Sequence, residues 1–122
     1  MNNEFWTKAR ENLHAAQALY DLGLFNAAAN RAYYAAFQAA MVAITAKGLQ
    51  AHTDHAKVQA MFNGEVIRRS KHITVGHKRY LLEMQNIRNI ADYETTPISK
   101  RKADKQLAMA KEFLTLITQE IT

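Results

Sequence analysis

Apolar residues recur along most of this chain with the three-to-four-residue spacing of helices that bury one face. The first such segment runs from about Asn3 to Leu22 and ends at Gly23, a residue that commonly stops a helix. Its apolar positions at helical spacing are Phe5, Ala9, Leu13, Ala16 and Tyr20. No segment alternates apolar and polar residues with the period of two that marks a β-strand, so the pattern predicts helices throughout.

The longest apolar segment, Ala27 to Ala46, is predicted to be the central helix of the fold. It reads AAANRAYYAAFQAAMVAITA, and half of its positions are alanine, the residue with the best helix propensity. Asn26 is a suitable N-cap, and Gly48 is placed for a left-handed C-cap. Because the segment is apolar nearly all round, we expect other helices to pack around it. Arg31, its only ionised side chain, must find a partner or reach the rim of the core.

Three further helices are predicted in the rest of the chain. The third follows the capping pair Thr53-Asp54, and residues 64–76 are expected to form a loop or a frayed turn, because periodicity is lost there. The fourth runs from about Lys78 to Tyr93, and the fifth begins after the capping residue Ser99. The fourth is expected to bury Tyr80, Met84, Ile87 and Ala91, and the fifth Leu107, Ala110, Phe113 or Leu114, Ile117 and Ile121. The predicted fold is an all-α, up-and-down antiparallel bundle of about five helices, forming a single domain over residues 1–122.

The composition is that of an ordinary soluble chain with an uneven distribution of charge. There is no cysteine, no leader-like segment and no run apolar enough to cross a membrane, which predicts a cytoplasmic protein without disulfides. The net charge is +5, and residues 68–105 contain ten basic but only four acidic residues. Two basic pairs near helix starts, Lys78-Arg79 and Lys100-Arg101, are candidate contacts for an anionic partner. A solvated surface without a partner explains the same charge, and both interpretations stay open.

Most catalytic and cofactor-binding patterns are missing from the chain. The glycines are isolated, so no loop cradles a phosphate, and a serine nucleophile lacks its strand–turn–helix context. His52 and His55 are three residues apart, but without cysteine and with Asp54 as the only nearby carboxylate they do not complete a metal site. We therefore predict neither a metal nor a cofactor. Aromatic residues of the central helix are suited either to stacking on bases or to packing in a core or dimer interface: Tyr33, Tyr34 and Phe37.

The most informative segment chemically is Arg88-Asn89-Ile90-Ala91-Asp92-Tyr93, at the end of the fourth predicted helix. Arg88 and Asp92 are four residues apart and can pair along one helix face. Alternatively, Asp92 can reach Arg31 in the central helix and neutralise that cation. Of the two pairings we favour Asp92 with Arg31.

Several segments, taken together and in this order, resemble the HEPN domain. They are Gly23-x-Phe25-Asn26-x-Ala28, Arg31-Ala32-Tyr33-Tyr34-Ala35-Ala36-Phe37, an isolated His55, Arg88-x-x-Ala91-Asp92-Tyr93 and Ala110-x-x-Phe113-Leu114. The resemblance covers nearly the whole chain and is best to a small stand-alone branch, the UPF0332-type group. It implies a helical bundle that forms a homodimer, with a cleft between the protomers.

The same resemblance implies a function on RNA. Many HEPN proteins are metal-independent ribonucleases whose signature is an arginine, usually a polar residue next, and a histidine a few positions on. Arg88 matches the arginine and Asn89 the polar residue, whereas Tyr93 stands where the histidine is expected. Tyrosine has an ordinary pKa of about 10 against about 6.5 for histidine, so it is a poorer general base at neutral pH. Five residues of unbroken helix also leave positions 88 and 93 about 140° apart.

The resemblance implies a partner as well. Small HEPN proteins are often encoded beside a minimal nucleotidyltransferase, as toxin and antitoxin, and in some pairs the transferase adds AMP to a tyrosine near the motif. We therefore expect a toxin-type protein in which Arg88 stabilises an anionic phosphorane, Asn89 positions the phosphate, and Tyr93 donates a hydrogen bond or accepts AMP. The candidate binding residues around them are Arg31, Tyr34, Asp92, Lys78, Arg79, Lys100 and Arg101. A non-catalytic module that binds a nucleotide, RNA or a partner protein, and a plain dimerisation bundle, are the alternative expectations.

Overall fold

Five α-helices make up most of residues 3–121, the part of the chain that a computed structural model describes. They are α1 (Asn3–Asp21), α2 (Phe25–Ala46), α3 (His55–Met61), α4 (Tyr80–Tyr93) and α5 (Lys100–Ile121). A π turn (Phe62–Val66) and two 3-10 turns (Ile67–Arg69 and Val75–His77) lie between α3 and α4. These residues contain no strand, which confirms the predicted all-α class, and none of their helices is long and apolar enough to span a bilayer.

The helix α2 lies at the centre of the fold, as its sequence predicts. Most of its side chains are buried, and α1, α4 and α5 all pack against it. Alanine side chains line much of this buried surface, so the neighbouring helices approach closely. The largest side chains of the core include Tyr33, Phe62 and Phe113, and the last two have ring centres 5.1 Å apart. The core therefore surrounds α2 and places Tyr33 where α3 and α4 meet it.

Glycines end α1 and α2 in the same way. Gly23 and Gly48 have φ angles of 77° and 79°, which favour glycine because it has no Cβ. After α2, the N–H of Leu49 donates to the carbonyl of Ile44 (3.2 Å), and the N–H of Gly48 donates to that of Thr45 (3.0 Å). Both predicted stops are confirmed, and the short turn at Gly23 makes α1 and α2 antiparallel neighbours.

Two predicted side-chain caps are confirmed and a third is wrong. Asp54 caps α3 and Ser99 caps α5, each accepting a hydrogen bond from the backbone N–H three residues later (3.0 and 3.1 Å). Asn26 does not cap α2, which already begins at Phe25. Its Oδ1 instead accepts the backbone N–H of Ile98 at 2.8 Å, which ties the connection between α4 and α5 to the start of α2.

The segment 64–76, expected to be a loop or a frayed turn, continues from α3 as irregular helical turns as far as Arg69, and a 3-10 turn follows at Val75–His77. Asn63-Gly64 does not end the helix there, because a π turn accommodates it. Apolar side chains that follow anchor the segment in the core, and they share no simple helical period, which is why the pattern missed them. They are Val66, Ile67 and Ile73.

A buried carboxylate holds this segment to the end of α5. Glu120 accepts the backbone N–H groups of Lys71 and His72, both at 3.0 Å, and pairs with Lys47 Nζ at 3.2 Å. Its side chain is only 6% exposed. Burial raises the pKa of Glu120, but the hydrogen bonds from these N–H groups and from Lys47 outweigh burial and leave the pKa below its ordinary value.

The face of α4 that is buried differs from the prediction. The helix begins at Tyr80 and buries Leu81, Met84 and Arg88, whereas Tyr80, Ile87 and Ala91 are only half-buried. Apolar residues cover more than one face of α4, so packing against α2 selects the buried one, and this selection brings Arg88 inside. α5 buries Leu107, Ala110, both Phe113 and Leu114, and Ile117 as predicted, and Ile121 is half-buried.

Candidate functional site

Arg88 lies among aromatic rings on the buried face of α4. It is 8% exposed, and its guanidinium carbon is 5.4 Å from the ring centre of Tyr33, 5.6 Å from that of Tyr34 and 5.9 Å from that of Tyr93. Its Nε is buried and has no hydrogen-bond partner among the described residues. A buried donor left unpaired costs about 1–3 kcal/mol. Such an arrangement in a native fold calls for an explanation.

A carboxylate pairs with the guanidinium, and an amide holds that carboxylate. Arg88 Nη1 is 3.5 Å from Asp92 Oδ2, so the pairing along one face of α4 is the one that forms. Asn30 Nδ2 donates to both oxygens of Asp92, at 2.9 and 3.1 Å. The side chains of Arg88 and Asp92 are 10% and 25% exposed, so the pair is largely shielded from water.

The predicted pair of Arg31 with Asp92 is wrong. Arg31 Nε donates to Asn30 Oδ1 at 2.8 Å, Nη1 donates to Asn12 Oδ1 at 3.1 Å, and the guanidinium carbon is 5.0 Å from the ring centre of Tyr34. No carboxylate in the described part of the chain lies within 4.0 Å of Arg31. Asn30 lies between Arg31 and Asp92: its amide nitrogen donates to Asp92, and its amide oxygen accepts from Arg31.

His55 joins the same cluster from α3, a contact that the sequence does not predict. Asp54 caps α3, which makes His55 the first residue of that helix. Its Nδ1 is 2.5 Å from the hydroxyl oxygen of Tyr33, and its ring stacks on Phe37 with centres 4.5 Å apart. Tyr34 meets the ring edge-on at 5.9 Å. We call Tyr33, Tyr34, His55, Arg88 and Asp92 the Arg88 cluster.

Burial and charge shift two of these groups away from ionisation. Burial raises the pKa of Tyr33 to about 12, although a hydrogen bond from the Gln59 side chain and the charge of Arg88 act in the opposite direction. Burial, followed by the nearby Arg88 cation, lowers the pKa of His55 below its ordinary value, and Asp54 offsets only part of this. At neutral pH the cluster therefore contains a protonated phenol and a neutral imidazole.

Two residues of the predicted signature lie beside the cluster. Asn89 is half-buried, and no hydrogen bond joins its side chain to another described residue. Tyr93 is 76% exposed. Its ring nevertheless reaches Arg88, because Tyr93 is the last residue of α4 and Glu94 is already extended.

The predicted basic pairs do not form one patch. Tyr80, at the start of α4, donates its hydroxyl proton to Glu112 at 2.9 Å, which places Lys78 and Arg79 near the middle of α5. Lys100 and Arg101 begin α5, about 18 Å of helix before Glu112. The pairs therefore flank opposite ends of α4. No group of three or more histidine, aspartate or glutamate side chains within residues 3–121 is arranged to hold a metal ion.

Comparison with known proteins identifies the family. The family model of the HEPN domain matches residues 3–121. The chain belongs to the HEPN family. The all-α fold of this HEPN protein agrees with the expectation from its motifs.

A curated relative from Methanocaldococcus jannaschii is named "Putative toxin MJ0605". It is 32% identical to the HEPN protein over 113 residues, which cover 93% of this chain and 83% of the relative. Because the match covers 93% of the chain, it includes the segments that build the Arg88 cluster, which lie far from both ends.

Proposed function

We propose that this HEPN protein, of the small stand-alone branch, is the toxin-type member of a toxin–antitoxin pair and acts on RNA at the Arg88 cluster without a metal ion. The family and the name of the archaeal relative support the toxin role. The observation that carries the RNA part is Arg88, a cation enclosed by tyrosine rings with its Nε unpartnered among the described residues. A planar guanidinium suits a phosphate, which accepts two parallel N–H bonds.

The proposed chemistry is attack of an RNA 2′-hydroxyl on the adjacent phosphate. The 2′-oxygen loses its proton to solvent water and bonds to phosphorus, the bond from phosphorus to the 5′-oxygen breaks, and that oxygen takes a proton from water. Arg88 would hydrogen-bond to the extra negative charge of the phosphorane, while Asp92 and Asn30 hold the guanidinium in place. Because the attacking group is the 2′-hydroxyl, RNA is the substrate and DNA is not.

We also propose that two copies of the chain form the cleft that receives the RNA. Tyr93, exposed beside Arg88, would lie in this cleft. Lys78-Arg79 and Lys100-Arg101 flank opposite ends of α4 and would contact phosphates on either side of Arg88, as an extended polyanion requires. The proposed antitoxin is a minimal nucleotidyltransferase, with the exposed Tyr93 hydroxyl as the acceptor if AMP is transferred.

A non-catalytic binding module is the second candidate, and one observation favours it. Asp92 already pairs with Arg88, and the guanidinium is largely buried, as expected of a residue that binds an anion without chemistry. In that case RNA, a nucleotide or the partner protein would bind at the same site and dissociate without being cleaved or modified.

Growth and RNA integrity during induced expression in a bacterial host test the proposal. We expect the parent protein to arrest growth and to cleave tRNA or mRNA, and Arg88→Ala to lose cleavage by at least about a hundredfold, the usual effect of removing one donor to a developing oxyanion. The matched control is Arg68→Ala, because Arg68 is exposed and pairs only with Glu65 in the described chain. Intact RNA with an Arg88→Ala variant as toxic as the parent would refute the proposal. RNA that is bound but not cleaved, with binding weakened by salt, would establish the second candidate instead.

A further inference from the structure

His55 shares its aromatic neighbours with Arg88. The ring centre of Tyr33 is 5.5 Å from that of His55 and 5.4 Å from the guanidinium carbon. Tyr34 is 5.9 Å from the imidazole and 5.6 Å from the guanidinium. Among histidines of the described residues, only His55 contacts these tyrosine rings. The imidazole and the guanidinium therefore border the same small region.

The hydroxyl proton of Tyr33 determines which imidazole nitrogen carries hydrogen. Tyr33 is fully buried, and burial raises its pKa to about 12, so the hydroxyl keeps its proton at neutral pH. The proton must go to an acceptor, and His55 Nδ1 is 2.5 Å away. Since His55 is neutral, an accepting Nδ1 leaves the hydrogen on Nε2.

The Nε2 edge of the imidazole is available for a ligand. Nε2 makes no hydrogen bond within the described residues, and it is not among their buried unpaired polar atoms, so it is at least partly accessible to solvent. Stacking on Phe37 and the bond to Tyr33 fix the ring, which leaves the Nε2–H aimed in one direction. A fixed donor of this kind loses little entropy when it binds an anion.

We propose that His55 is a second phosphate-binding residue of the Arg88 cluster, donating Nε2–H as a neutral imidazole to a phosphate oxygen of RNA. The proposal rests on the proposed function, because its ligand is the same RNA. Tyr33 is the positioning residue, since its hydroxyl sets the tautomer. His55 is then not the proton acceptor of the reaction. A general base at Nε2 needs an unprotonated nitrogen there, whereas the hydrogen bond that Nδ1 accepts from Tyr33 keeps the hydrogen of the imidazole on Nε2.

Two conservative variants separate the roles of the two imidazole nitrogens. The side-chain amide of glutamine reaches the position of Nε2 and keeps a donor there, whereas that of asparagine reaches only the position of Nδ1 and keeps a partner for Tyr33. Binding is measured with a short 2′-O-methyl RNA, which cannot be cleaved, so that the result does not depend on catalysis. We expect His55→Gln to bind within about threefold of the parent and His55→Asn to bind about 10–100-fold more weakly, the range for one hydrogen bond to a charged group. The matched control is His14→Asn, because His14 is exposed on α1 and is expected to change nothing.

The ¹⁵N chemical shifts of His55 provide a readout that a structural role would not move. We expect the Nε2–H tautomer in the free protein, and a shift of the Nε2 signal when the 2′-O-methyl RNA is added. The Nδ1–H tautomer, equal losses in both variants, or a loss in His55→Gln alone would overturn the proposal. Binding lost in Arg88→Ala but kept in His55→Asn would leave the proposed function standing and reject His55. If the parent binds no RNA, both proposals fail.

Discussion

Replacing Arg88 by methionine should abolish function with almost no cost in stability. The favourable interactions of Arg88 are modest: an i,i+4 pair with Asp92 at 3.5 Å, worth about 0.3–0.5 kcal/mol, and three tyrosine rings near the 6 Å limit, worth about 0.5 kcal/mol each. Against them stands the unpaired, buried Nε, at about 1–3 kcal/mol. Methionine keeps the apolar stem, and Asp92 keeps both bonds from Asn30. We therefore expect Arg88→Met to change the free energy of unfolding by less than about 1 kcal/mol.

Urea unfolding followed by circular dichroism measures this difference, with Met84→Ala as the control. Met84 lies one turn earlier on the same buried face and is fully buried, so its truncation should cost about 2–5 kcal/mol. An Arg88→Met variant destabilised by more than about 3 kcal/mol, like the control, would show that Arg88 is retained for folding. The functional reading of its burial would then be refuted.

Three further substitutions test the stability of the fold and the pKa values of two buried groups. Glu120→Gln should lower the free energy of unfolding by about 1–3 kcal/mol at pH 7. Because the folded pKa of Glu120 is lowered, that difference should shrink in urea melts as pH falls below the ordinary value of 4.5, and a constant difference would contradict this. Gly48→Ala should lower the free energy of unfolding by about 1–2 kcal/mol in thermal melts. The loss comes from the φ angle of 79° alone, since nothing lies within 4 Å of the added Cβ, and an unchanged stability would refute this backbone strain. In an ultraviolet titration Tyr33 should ionise with a pKa of about 12, and Tyr33→Phe should lack this step. The contribution of the protonated hydroxyl to the free energy of unfolding should decrease as pH rises from 10, the ordinary pKa of tyrosine, to about 12. Ionisation of Tyr33 at pH 10 would contradict the burial argument.

The helices and most of their ends were predictable because their signals are local. Each confirmed signal acts through hydrogen bonds to residues a few positions away, and each of these bonds forms. The signals are the glycines after α1 and α2, Asp54 before α3 and Ser99 before α5. Asn26 was mistaken for a cap because its type fits that position equally well. Its actual partner, Ile98, lies far along the chain, and only the tertiary fold brings the two together.

The burial of the Arg88 side chain was not predictable from the periodicity of apolar residues. Apolar residues occur nearly all round α4: counted from Tyr80, Leu81 lies at about 100°, Leu82 at about 200° and Ile90 at about 280°. Several faces are therefore nearly equally good for burial. Contact with α2 selects the face that includes Arg88. The family motif singled out Arg88 for its chemistry, but its depth is a property of the packing.

The partners within the Arg88 cluster depend on distances of a few ångströms between helices. Charge alone favours Arg31 over its neighbour Asn30 as the partner of Asp92. In the structure the Asn30 amide lies between Asp92 and Arg31 and hydrogen-bonds to each of them. His55 and Tyr33 are 22 residues apart, and nothing local links them. A histidine directly after a helix cap, opposite an aromatic stretch, is the signal that would have suggested the contact.

Analysis of RNA ends after incubation with the purified protein in EDTA tests the central claim most directly. If Arg88 stabilises attack by the 2′-hydroxyl, the parent protein will produce fragments with 2′,3′-cyclic phosphate and 5′-hydroxyl ends. Neither Arg88→Ala nor an RNA with a 2′-deoxy residue at the cleaved position will give them. Intact RNA, cleavage that persists with the deoxy substrate, or fragments with 3′-hydroxyl ends would contradict the account.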